Sequence, residues 1–395
     1  MPASPSTARA INDRLALDLL QREGPLTAGQ LKQLTGLSRP TVADLVDRLA
    51  AAGLIEVAGE SGEQRRGPNA RLYGIVAERA HLAALDVRTE GVTVLVSDLL
   101  GRVLAEASAP IDDDSGTGPA VEQAVGLVER AAKEAGADRL HTVGIGAPGL
   151  IDPASGELRD AGGLPAWHRR LTTALQEKFP EARVGVENET NLAALAEQRD
   201  GAARDRDTFV LLWLGLGIGA AVVLDGTLRR GVSGGAGEIG FMPVPGTSGL
   251  PSATDCDGGF HSVAGAAAVA ALAAEHGLTA SPAGPGPYAA ALVREAVAGA
   301  GPEAERFLDA LADRIVLGAA AVVSVLDPGC LVLAGEIGRA GGDALAARVQ
   351  RRLTRMSPLA TEVRASTLGG GAVLRGALLT ARDRAQDELF APPER

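Results

Sequence analysis

The residues best suited to gripping another molecule cluster near the N-terminus: Ser38, Arg39, Pro40, Thr41, Asp44 and Arg48, followed by the adjacent pair Arg65 and Arg66. Arginine offers a planar fork of donors that matches phosphate oxygens or a guanine edge, and a short hydroxyl side chain serves either. Laid along the first turns of one helix and the tip of one loop, such a set suits the grooves of duplex DNA.

The surrounding pattern predicts elements that would present this set. Ala10 to Arg22 reads as a helix with Ile11, Leu15, Leu19 and Leu20 on its inner face, stopped by Gly24-Pro25. Thr27 caps a second short helix anchored by Leu31 and Leu34, and Gly36-Leu37 makes the turn. Ser38 then caps a third helix, in which Val42, Leu45, Val46 and Leu49 face inward while Arg39, Pro40, Thr41, Asp44 and Arg48 stay outside. Leu54 to Val57 and Arg71 to Ile75 read as a hairpin whose tip, Glu63 to Asn69, carries Arg65 and Arg66 as a polar wing. A helical cap with a solvated basic loop shares the trihelical part; the wing favours a DNA reader. Arg48 has a second reading, as a surface pair with Asp44 four residues earlier.

Charge distribution agrees with this. The whole chain of 395 residues carries −11, but residues 1–76 hold nine Lys/Arg against eight Asp/Glu, a net +1 that leaves −12 for the remainder. DNA binding therefore depends on focused basic groups rather than overall charge. Hydrophobic residues at 46% and aromatics at 3% predict sizeable cores built from Ala, Val and Leu. Two cysteines, Cys256 and Cys330, make no disulfide framework and fit a reducing compartment, with Cys330 expected in the core. With no signal pattern and no uninterrupted apolar span, a cytoplasmic, nucleoid-associated protein is expected.

Beyond a short join at residues 77–80, the strands His81 to Val87, Val92 to Asp98 and Arg102 to Ala107 form one group, the last two joined by a hairpin turn at Asp98-Leu99-Leu100-Gly101. The strands Phe209 to Leu214, Gly219 to Leu224 and Thr227 to Arg230 repeat the plan, with Asp225-Gly226 as the turn. Two such groups, each followed by helices and further strands, predict two related α/β lobes with a ligand cleft between them.

Three stretches then resemble the ROK family (repressor, open reading frame, kinase), in particular its branch with an N-terminal winged helix. They are Gly144-Ile145-Gly146-Ala147-Pro148-Gly149, Val186-Glu187-Asn188-Glu189-Thr190-Asn191 and Ala236-Gly237-Glu238-Ile239-Gly240, joined by Leu331 to Gly335 and Gly369-Gly370-Gly371. The resemblance implies an α/β fold: a winged helix-turn-helix at 1–76, then a two-lobed actin-like, ribonuclease-H-like ROK domain at 80–395. Lobe one would take about 80–190 plus the C-terminal helix, and lobe two about 191–374. It also implies a sugar site that includes Pro148, Gly149, Asn188, Glu189 and Glu238.

Against the family's kinases the chain departs at several points. Where they resemble Asp-x-Gly-Gly-Thr, it reads Asp86-Val87-Arg88-Thr89-Glu90; where they resemble Gly-Thr-Gly, it reads Gly215-Leu216-Gly217. Side chains stand where backbone amides would approach ATP phosphates. The catalytic Asp is matched by Glu189, a carboxylate displaced by about one ångström, enough to cost about 10²-fold; a secondary, structural reading makes Asn188 and Glu189 a strand end capping the next helix. Of the family's zinc ligands only Cys256 and His261 remain as candidates, with Phe241 at the histidine position, and two ligands do not close a tetrahedral site. Val263 and Gly163 also replace polar residues of the family's sugar site.

The expected function is thus a sequence-specific transcriptional regulator, a repressor of carbohydrate-related genes, with a sugar or sugar derivative as effector and no kinase activity, metal or cofactor. A homodimer or higher oligomer on a palindromic operator is the expected assembly. The alternatives are an ATP-dependent sugar kinase with an accessory DNA-binding domain, and a body that serves only for dimerisation.

Overall fold

A computed structural model describes residues 5–60, 70–111, 116–159, 164–247, 249–252, 258–281, 287–299 and 301–391. In the head, α1 (Pro5–Glu23), β1 (Leu26–Thr27), α2 (Ala28–Thr35), α3 (Arg39–Ala51), β2 (Ile55–Glu60) and β3 (Arg71–Ile75) follow one another, with the strands ordered β1-β3-β2. Local chemistry sets these boundaries. Thr27 Oγ1 accepts from the Gln30 amide at 3.2 Å while the Gln30 side chain accepts from the Thr27 amide at 2.9 Å, a reciprocal cap on α2. Gly36, at φ 71°, lets α2 end in a left-handed turn. Ser38 Oγ accepts from the Thr41 amide at 3.3 Å and so starts α3.

Val42, Leu45, Val46 and Leu49 are buried as expected, with Leu31 beneath them. Two expectations fail. Leu19 and Leu20 of α1 are buried as expected, but Ile11 and Leu15 are exposed, because the helix buries Ala16 and Leu17 instead. Leu34 is exposed as well, since Leu31 alone fills the gap under α2.

The body holds two five-stranded sheets of identical plan. The first comprises β4 (His81–Arg88), β5 (Gly91–Asp98) and β6 (Val103–Pro110), then α4 (Thr117–Glu134), β7 (Leu140–Ala147), α5 (Ala166–Lys178) and β8 (Arg183–Asn188), with strand order β6-β5-β4-β7-β8. After α6 (Glu189–Asp200) the second comprises β9 (Phe209–Leu214), β10 (Ile218–Leu224) and β11 (Thr227–Arg229). Helices α7 (His261–Ala264), α8 (Ala266–Glu275), α9 (Tyr288–Ala298) and α10 (Pro302–Leu326) lead to β12 (Cys330–Ala334), α11 (Gly335–Met356) and β13 (Glu362–Ala365). Its order, β11-β10-β9-β12-β13, repeats the first: an antiparallel meander followed by two parallel strands.

The last helix, α12 (Ala372–Leu389), packs on β4, β7 and α6 in the middle of the molecule. Close approach explains its glycine. A Cβ on Gly376 would stand 2.0 Å from the Leu192 carbonyl oxygen of α6, so only glycine lets the two helices meet. Cys330 is fully buried, as expected. No helix among the described residues is long and apolar enough to cross a membrane.

Candidate functional site

The N-terminal turn of α3 stands outside the head. Ser38, Arg39, Pro40 and Asp44 are exposed and Thr41 is partly so. Arg48 differs from them. Its guanidinium bonds Asp13 of α1 at 2.5 Å and also Asp44, so it fastens α3 to α1. Arg65 and Arg66 lie outside the described residues, as do Cys256 and Gly163.

A cleft of about 300 Å³ opens between the two lobes, and Pro148, Gly149, Asn188, Glu189 and Glu238 all line it. Asn188 caps α6: its Oδ1 accepts from the Thr190 and Asn191 amides at 2.9 and 3.2 Å, and its Nδ2 donates to the Gly149 carbonyl at 3.0 Å. The same side chain therefore seats the Pro148-Gly149 loop against α6. Glu238 is delivered by a backbone embrace. The carbonyl of Gly237, which sits at φ 96°, accepts from the Ala220 amide at 2.8 Å, and a Cβ on Gly237 would fall 1.9 Å from the Ala220 carbonyl oxygen. The Ala-Gly-Glu-Ile-Gly element is thus pinned to β10 with its carboxylate in the cleft.

Three cleft residues went unremarked in the sequence reading, or had only a negative role there. The Arg88 guanidinium grips Asp86 through two bonds of 2.7 and 3.1 Å, reaches Glu336 of the other lobe at 2.9 Å, and lies 5.4 Å from the Trp213 ring centre. Glu336 in turn crowds the second loop, since a Cβ on Gly215 would meet its Oε2 at 2.4 Å. One ion pair therefore joins the Arg88-Thr89-Glu90 loop to the start of α11, whose Glu336 lies against Gly215 of the second loop. Nothing in the local pattern around Glu336 distinguishes it from an ordinary helix-start carboxylate.

Glu189 is largely buried, and desolvation pushes its carboxyl up to about 8, against the opposing pull of Arg88. The folded protein thus holds this proton more tightly than the unfolded chain. The associated stability is complete below the ordinary carboxylate value and is lost as pH climbs toward 8. Glu189→Gln, neutral at every pH, is expected to melt like the parent at pH 4 and several degrees higher at pH 9. Melting curves at pH 4, 7 and 9 check this; equal melting temperatures at pH 9 would refute it.

The cleft and the head are joined by α12. Its first residues, Ala372 and Val373, share a small cavity with Arg88, Trp213 and Glu336. Near its far end, about 21 Å away at 1.5 Å per residue, Gln386 Nε2 donates to Gln21 Oε1 of α1 at 2.9 Å and Asp387 bonds Arg14 at 2.7 Å. Arg14 also lies 5.8 Å from the ring centre of Phe390. His261 begins α7 and takes part in further contacts; among the described residues no group of three or more His, Cys, Asp or Glu is placed to hold a metal.

A winged helix set on two ribonuclease-H-like lobes, with a cleft between them, defines the class. The model of the ROK family matches residues 83–384 and that of the MarR family residues 11–67. The chain belongs to the ROK family. It is 26% identical over 238 residues to a xylose repressor of Caldicellulosiruptor bescii, covering 60% of this chain and 59% of that one. The chain thus spans about three fifths of the length of the curated relatives it matches. Among solved structures, a ROK family transcriptional regulator described as a homologue of the E. coli MLC protein superposes with a TM-score of 0.75 over 97% of this chain and 98% of that one, at 21% identity. A ROK hexokinase from Thermus thermophilus gives 0.61 over 78% and 99%, at 28% identity.

Proposed function

We propose that this protein is a sequence-specific DNA-binding transcriptional regulator, acting as a repressor, whose grip on DNA is set by a sugar or sugar derivative in the inter-lobe cleft. The observation that carries the reading is α12, which spans from the Arg88–Glu336 end of the cleft to the first helix of the head. A ligand that binds one lobe arrangement better than another shifts the population toward it, and a rigid helix in contact with both ends transmits the shift. A symmetric dimer would present two α3 helices to a palindromic operator, with half-sites about one or more helical turns apart.

Kinase chemistry is absent in this reading. Arg88 of the first loop that would receive a nucleotide's phosphates is tied to Glu336 of α11, which crowds Gly215 of the second, and Leu216 stands exposed between that loop's glycines. Glucose, mannose, N-acetylglucosamine and xylose are each expected to elicit no ATP consumption above a sugar-free control in a coupled assay. Turnover in the ordinary kinase range, roughly 1–100 per second, would replace this reading with that of a sugar kinase carrying a DNA-binding domain, which the hexokinase likeness favours.

A further inference from the structure

Four acidic side chains line the cleft, Glu90, Glu189, Glu238 and Glu336, and Arg88 is the one cationic side chain among its described lining residues. Burial holds Glu189 largely protonated at neutral pH, so it does not count among the negative charges. All three guanidinium nitrogens of Arg88 are already committed, two to Asp86 and one to Glu336. Glu238 and Glu90 are solvent-exposed at the cleft wall. An incoming phosphate or carboxylate would find no free cation and several like charges within one small, partly desolvated space, where charge interactions are less screened than in water. Hydroxyl groups, by contrast, can donate to carboxylate oxygens, and an ammonium group would be attracted.

From this arrangement we infer that the cleft selects its ligand by charge, accepting an uncharged or cationic polyhydroxylated compound and rejecting phosphate esters and sugar acids. The inference rests on the cleft being the ligand site. It makes Glu90, Glu238 and Glu336 specificity-determining residues, and gives Arg88 the task of neutralising Asp86 and Glu336 rather than binding an anion. The protein would accordingly sense a sugar before a phosphoryl-transfer step, not the ester that such a step produces.

Calorimetric titration of the full chain with D-glucose, D-mannose and N-acetyl-D-glucosamine, each beside its 6-phosphate, tests the inference, with D-xylose beside D-xylonate and D-glucosamine as the cationic member. The expected result is that at least one neutral or amino sugar binds, with its anionic counterpart at least tenfold weaker. A 6-phosphate or xylonate binding as well as its parent would overturn charge selection while leaving the cleft as a sugar site. Binding of none would overturn the sugar-site reading and this inference with it. The double variant Glu90→Gln/Glu336→Gln separates charge from shape: it should narrow the gap between parent and ester by at least tenfold. An unchanged gap, with neutral sugar still bound, would mean that sterics rather than charge excludes the ester.

Discussion

Glu197→Ala is expected to lower the melting temperature by roughly 5–10 °C, a loss of about 3–5 kcal/mol. Glu197 lies fully buried on α6. Its carboxylate accepts from the Ala202 amide at 2.6 Å, from the Thr367 and Leu368 amides at 3.2 and 3.3 Å, and from the Ser366 and Thr367 hydroxyls at 2.5 and 3.3 Å. Truncation would strand several donors in a place water reaches poorly, which costs far more than the bonds contribute net. Residues 366–368 lead directly into α12, so the loosening should spread to the element that joins cleft and head. Glu197→Gln retains one acceptor oxygen and should lose about half as much. Calorimetric melting of both variants checks this; an alanine variant within one or two degrees of the parent would contradict it.

Arg39→Ala is expected to weaken binding to the protein's operator duplex about 10- to 100-fold at fixed salt without altering the melting temperature. Arg39 is exposed at the start of α3 and takes no part in the Arg14 and Arg48 ion pairs of the head. Arg48→Ala should behave in the opposite sense. It removes the bond to Asp13 that seats α3 on α1, so the head should soften first and DNA binding fall as a consequence. Fluorescence anisotropy across a salt series, paired with melting curves, separates the two. Equal losses of stability in both variants, or no loss of affinity in Arg39→Ala, would assign the DNA face elsewhere.

The elements that could be read from the sequence are those whose causes lie within a few residues. The Thr27 and Ser38 caps, the inward stripe of α3, and the hairpin after Asp98, whose carboxylate accepts from the Leu100 and Arg102 amides at 3.0 and 2.9 Å, all come from neighbours in the chain. The doubled lobe was legible because its strand-turn-strand plan occurs twice. Pro148, Gly149, Asn188, Glu189 and Glu238 were found through family resemblance, and the fold does bring all five to one cleft. What escaped were pairings across long separations. Arg88 and Glu336 are 248 residues apart, and Gln21 and Gln386 are 365 apart. Neither member of either pair carries a local pattern that points to its partner. The first half of the inner face of α1, Ile11 and Leu15, was misplaced for a related reason: that helix meets α12 of the body as well as the head, and a pattern scan sees only one helix.

The most direct test is to incubate the full-length protein with a fragmented genomic pool, recover and sequence the retained duplexes, and repeat with xylose, glucose and N-acetylglucosamine present. Enrichment of an inverted repeat is expected, with at least one sugar changing the enrichment tenfold or more. Retention of DNA without sequence preference at low and moderate salt, with or without sugar, would contradict a ligand-controlled DNA reader.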